Sequence, residues 1–75
     1  MRHKEQSKQA LVKLRGLAEA HGITDVAIAE RIGITKQGVG QALNGKYHPT
    51  LDNVFRFLNA VNELAGTQYG LSDLE

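Results

Sequence analysis

The segment from Ile23 to Gly45, ITDVAIAERIGITKQGVGQALNG, carries two short amphipathic helical patterns hinged at Gly33. Ile28, Ala29 and Ile32 fall at i, i+1 and i+4 and so share one helical face. Gly33 stops that helix, because glycine takes the positive φ required just past a helix end, and Thr35 is placed to cap a new helix two residues later. In that second helix, about Lys36 to Asn44, Val39, Ala42 and Leu43 recur at i, i+3 and i+4 and face inward. Lys36, Gln37, Gly40, Gln41 and Asn44 are left outside, making a face that is cationic and rich in amides.

A small residue at Ala29, a hinge at Gly33 and a β-branched residue at Val39 resemble the helix-turn-helix of the phage-repressor-like (Cro-type, XRE) family. Asn44-Gly45-Lys46 followed by Pro49-Thr50-Leu51 is similar to that family's exit from its recognition helix, and the resemblance runs from about Leu14 to Val61. It implies an all-α, compact four- to five-helix lambda-repressor-like domain, with Ala29 allowing the two helices to cross closely and Val39 filling the crossing. It also implies double-stranded DNA as partner. Lys36, Gln37, Gly40 and Gln41 are then candidates for base contact, since Gln bonds adenine N6 and N7 and Lys reaches guanine O6 and N7. Thr35, Asn44, Lys46, Tyr47 and His48 are candidates for phosphate or mixed contacts.

Two positions depart from the family pattern. Asp25 stands where phage repressors often carry a phosphate-binding Gln; a carboxylate is repelled there, so Asp25 is expected to serve the dipole of its own helix. Ala18 and Leu43 occupy the positions of a buried Arg and Glu. Replacing both members of such a pair by packed apolar groups is coherent, whereas replacing one is costly.

The flanks extend the helical reading. From about Lys4 to Ala20, Leu11, Leu14, Leu17 and Ala18 make an apolar stripe that Ala10 and Val12 widen, and Gly22 ends it. Gly16 costs about 1 kcal/mol of helix propensity, which suits either a close backbone approach or a tolerated surface glycine. Gly38 and Gly40 together cost roughly 2 kcal/mol, so the second helix of the hinge is expected to fray when free and to order on DNA. Ile23 enters the hinge unit, with Thr24 as N-cap and Asp25 in the first turn. Thr50 caps the longest apolar pattern, about Leu51 to Ala65. There Leu51, Val54, Phe55 and Leu58 make one face and Phe57, Val61 and Leu64 a second. The second face is the candidate dimer interface, unless Tyr69, Leu71 and Leu74, beyond the break at Gly66, fold back over it. A final turn is expected at Ser72 to Leu74.

Charge is divided along the chain. Up to His48 there are eight lysines and arginines against four acids, and beyond it Arg56 against four acids. A basic front and an acidic back suit a protein presenting one end to a polyanion, and Arg2, Lys4 and Lys8 extend that end at the helix start. With no cysteine there is no disulfide or thiolate metal site, and His3, His21 and His48 lack ligand spacing, so neither metal nor cofactor is assigned. No nucleophile, base and orienter set and no phosphate-binding glycine loop is present, which argues against an enzyme. The 75 residues suit a single domain, with the helix-turn-helix at 24–44 and a dimerisation helix and tail at 50–75. No targeting or membrane segment is recognised, and a cytoplasmic location is expected. The function expected is a sequence-specific transcription regulator, a repressor acting as a homodimer on an operator. The alternative is an antitoxin-like interaction protein whose main role is to bind a protein partner.

Overall fold

The computed structural model describes residues 3–46 and 50–74, with side chains described from Ser7 onward. Tyr47 and His48, two of the candidate DNA contacts, lie outside the described residues. Four helices, α1 (His3–Ala20), α2 (Asp25–Ile32), α3 (Lys36–Leu43) and α4 (Leu51–Ala65), are followed by a 3-10 turn, Leu71–Leu74, and no strand occurs among the described residues. The all-α architecture expected from the sequence is the one observed, including the C-terminal turn, which begins one residue early.

One device starts three of the helices. The hydroxyls of Thr24, Thr35 and Thr50 accept from the backbone N–H of Ala27, Gly38 and Asn53, so each threonine satisfies a donor that the first helical turn leaves open. Helix ends share a device too. Gly33 adopts φ +86°, and the N–H of Ile34 returns to the Ala29 carbonyl at 3.0 Å, turning the chain sharply out of α2. Gly45 ends α3 in the same way, with Lys46 N–H on the Gln41 carbonyl and Gly45 N–H on that of Ala42, both at 3.0 Å.

A single core joins the helices. Leu11, Leu14 and Ala18 of α1 meet Ile28 and Ala29 of α2, Val39, Ala42 and Leu43 of α3, and Val54, Phe57, Leu58, Ala60 and Val61 of α4. α1 packs on α4 and α3, and α2 packs on α3 and α4. Ala18 and Leu43 are both buried in this cluster, so the positions that would hold a charged pair hold close-packed hydrocarbon.

The tail is held by one amide. Asn62 accepts at Oδ1 from the Tyr69 N–H and the Thr67 hydroxyl, and donates from Nδ2 to the Tyr69 carbonyl, each at 2.9 Å. That anchor turns the chain after Gly66 back along α1, where Leu74 enters the core and Tyr69 and Leu71 pack against it. The Tyr69 hydroxyl also hydrogen-bonds His21 Nε2 at 2.7 Å, tying the tail to the residue just beyond α1.

Expectations for the faces of α4 and α1 are corrected. Phe57 and Val61 do not form a dimer surface: they are only 3% and 0% exposed, spent on the chain's own core. Of that expected face only Leu64 is open, at 41%, while Leu51 and Phe55, assigned to the inner face, are 51% and 42% exposed. The cause is that α4 packs on α1 and α2 together, which buries a stripe centred on Val54, Phe57, Leu58 and Val61 and leaves the outer edge of each expected face in solvent. Val12 likewise is exposed and does not widen the α1 stripe. Of the two readings of Gly16, the tolerated surface glycine is the one observed: it is exposed, and a methyl group built there would have nothing within 4 Å.

Candidate nucleic-acid interface

α3 is fastened from within by its apolar face. With Val39, Ala42 and Leu43 in the core, helical geometry turns Lys36, Gln37 and Gln41 outward, and all three are exposed. Gly40 is half-buried, so it borders the outer face without lying fully on it. Thr35 and Asn44 are exposed at the two ends of the helix and Lys46 just beyond it. Thr35 Oγ1 accepts from Gly38 N–H at 3.0 Å, which leaves its hydroxyl hydrogen available to a phosphate or base acceptor. The candidate residues of the hinge unit are thus brought onto one helix and its two ends, with Tyr47 and His48 outside the described residues.

α3 carries no acidic residue. The nearest carboxylate to its midpoint is that of Asp25, whose Oδ2 would lie 3.8 Å from a methyl group at position 40. Asp25 occupies the first turn of α2, favourable for the helix dipole as expected, and it also meets Arg15 Nη1 at 3.5 Å. That ion pair offsets a negative charge beside the cationic face. Lys8 adds to the same region. Its side chain crosses Gly45, and a methyl group at position 45 would overlap Lys8 Cγ, so α1 brings a lysine stem against the exit of α3, at the residue preceding Lys46.

Sequence reasoning missed Arg15 as a member of this site. On α1 it follows the buried Leu14 and reads as one more solvated charge; its contacts with α2 and α3 are long-range and leave no periodic trace. Lys8 was legible only as part of a basic helix start. The other ion pair, between Arg31 and Glu63, ties the last turn of α2 to α4 through contacts of 2.8 and 2.7 Å. Hydrogen bonding to Arg31 holds the Glu63 carboxyl below its ordinary range; desolvation opposes it, and charge attraction adds the smaller contribution. Among the described residues no group of His, Cys, Asp and Glu is placed to hold a metal ion, and no helix is long and apolar enough to cross a membrane.

Comparison with known proteins agrees with this geometry. A family model described as helix-turn-helix matches residues 14–64, a span that contains α2, the Gly33 turn, α3 and nearly all of α4. No curated protein and no solved structure gave a match. A match over more than half the chain, on a fold with a capped two-helix unit and an exposed cationic second helix, fixes the family: this chain belongs to the XRE-type helix-turn-helix proteins, DNA-binding regulators of transcription.

Proposed function

We propose that the protein is a sequence-specific repressor that inserts α3 into the major groove of an operator and acts as a homodimer. The observation that carries this reading is the two-sided character of α3, with Val39, Ala42 and Leu43 in the core and Lys36, Gln37 and Gln41 exposed behind the Gly33 turn. Gln37, Gln41 and Lys36 read base edges, and Gly40 between them lets the helix sit deep. Thr35 and Asn44 bond phosphate or base edge at the two ends, while Lys46, with Lys8 beside it, holds the phosphate backbone. Leu51 and Phe55, exposed one turn apart on α4, are the apolar surface best suited to a second copy, and two-fold pairing sets half-sites about 34 Å apart. Leu64 is exposed on a different side of α4 and does not extend that pair.

Selection of random-sequence DNA by the purified protein, followed by gel shifts at two salt concentrations, tests the reading. Lys46→Ala is expected to weaken binding to every sequence and to reduce the salt slope by about one, whereas Gln37→Ala relaxes a single base position. Recovery of no preferred sequence sinks the proposal. Equal losses on every sequence from both changes remove the division of roles.

A further inference from the structure

Three helices meet at one guanidinium. Arg15 of α1 places Nη1 3.5 Å from Asp25 Oδ1 at the start of α2, and donates from Nη2 to the Gly40 carbonyl in the middle of α3, also at 3.5 Å. The pair is half-sheltered, with side chains 26% and 27% exposed, and Arg15 Nε is buried without a hydrogen-bond partner. The side of Gly40 borders the Asp25 carboxylate, so the pair abuts α3 at the residue that precedes Gln41 and follows Gln37 by three.

We infer that Arg15 is a positioning residue for base readout: by bridging Asp25 and Gly40 it fixes the placement of α3 against α2, and thereby the aim of Gln37 and Gln41. This rests on the reading of α3 as the helix that enters the groove. Apolar burial alone fixes such a helix loosely, because it is non-directional and a small roll or slide keeps Val39, Ala42 and Leu43 covered. A planar guanidinium set against a carboxylate and a carbonyl is directional. α3 needs that guidance, since two glycines in eight residues weaken its own backbone preference. Solvent screening of a partly exposed pair keeps its share of overall stability small. Its effect is therefore on geometry: an error of a fraction of an ångström at Gly40 passes directly to the amides that must meet base edges.

Arg15→Lys is the decisive variant, because it keeps the charge and loses the fork, and Asp25→Asn supports it from the other side. Each is compared with the wild-type chain in melting temperature and in the salt dependence of binding to unrelated DNA. Each is then measured for its affinity ratio between the selected site and the same site altered at the base assigned to Gln41. In the free protein, the amide resonances of Gly40 and Gln41 are followed against that of Val61. Arg15→Lys is expected to leave melting and salt slope near wild type, to lower the affinity ratio about five- to tenfold, the scale of one good base contact, and to shift Gly40 and Gln41 but not Val61. Full discrimination with unmoved resonances in both variants overturns the inference. So does a uniform loss on all sequences with unmoved resonances, which would make Arg15 a phosphate contact. If the wild-type chain selects no sequence, the proposed function fails instead, and the resonances of the free protein still report whether Arg15 holds α3.

Discussion

α3 and α4 begin and end alike and are otherwise opposites. Each is capped by a threonine whose hydroxyl accepts from the third helical N–H, and each is followed by a glycine with positive φ. Yet α4 runs 15 residues with no glycine and buries five side chains, whereas α3 runs eight with two glycines and buries three. α4 avoids the glycine penalty and packs along about four turns; α3 carries that penalty twice and packs along about two. The scaffold helix can therefore stand much local disturbance. α3 depends on its few contacts with the rest of the molecule, which suits an element proposed to gain DNA contacts on its outer face.

The most disruptive way to probe that contrast is to remove the packing of each helix in turn. Leu43→Glu places an unpaired carboxylate among hydrocarbon and is expected to cost several kcal/mol. Phe57→Ala leaves a cavity in α4 and is expected to cost about 3–5 kcal/mol. Thermal denaturation followed by circular dichroism measures both, and an unchanged melting temperature in either would refute the core described for that helix. Phe55→Lys, two residues from Phe57, is the control: the fold should be altered by about 0.5 kcal/mol or less. Sedimentation at micromolar concentration should then show dimer in the wild type and monomer in this variant. A wild-type chain that sediments strictly as monomer removes the dimer proposal.

The two faces of α4 mark where the sequence ceased to be readable. The starts of α2, α3 and α4 and the ends of all four helices were legible because caps are local: Thr24, Thr35 and Thr50, with Gly22, Gly33, Gly45 and Gly66, announce them within a residue or so. The hinge unit was legible for the same reason, together with the outward set Lys36, Gln37 and Gln41. Which of seven apolar residues on α4 point inward depends on how many helices pack on it, and no window of sequence holds that information. The Asn62 anchor of the tail and the Arg15 bridge escaped in the same way, each being a polar residue whose partner is set by tertiary placement.

Gly45 offers a test of intermediate size at the exit of α3. Its φ of +74° and the Lys8 side chain lying across it make Gly45→Ala doubly unfavourable, by about 1–2 kcal/mol for the left-handed backbone alone. The same change should weaken DNA binding further by displacing Lys8 and Lys46. A variant as stable as wild type would show that the α3 exit relaxes freely.

Glycines within helices sharpen the comparison at about 1 kcal/mol apiece. Gly16 has open space around it, so Gly16→Ala should stabilise the fold by roughly that amount with DNA binding unchanged. Gly40→Ala meets only ordinary contact with Asp25 and should stabilise similarly, but here DNA affinity should fall, and an affinity at the wild-type level would remove Gly40 from the proposed groove face. Gly38→Ala should gain less, because the new methyl presses on Thr35 Oγ1 at 3.2 Å and disturbs the cap. Amide exchange in the free protein should be faster in α3 than in α4, and uniformly strong protection of α3 would contradict the contrast between them.

The smallest expected effect concerns the link between α2 and α4. Arg31 hydrogen-bonds Glu63 and holds its carboxyl below the ordinary carboxylate range, while Glu63 raises the Arg31 guanidinium further above neutrality. A depressed folded-state pKa means that the pair supports the fold at pH values above the unfolded carboxyl pKa, and that this support fades as pH falls through the lower folded value. Both side chains are about half exposed, so salt and solvent screen the attraction. The test is a melting series between neutral pH and the acid limb for the wild type and Glu63→Gln, at low and high salt. The two curves should lie slightly apart at neutral pH and low salt, and converge as acid protonates Glu63 or as salt is added. Because the pair joins α2 to the scaffold, base discrimination should be unchanged in Glu63→Gln. A loss of discrimination there would mean that α2 cannot shift on α4 without carrying α3 with it.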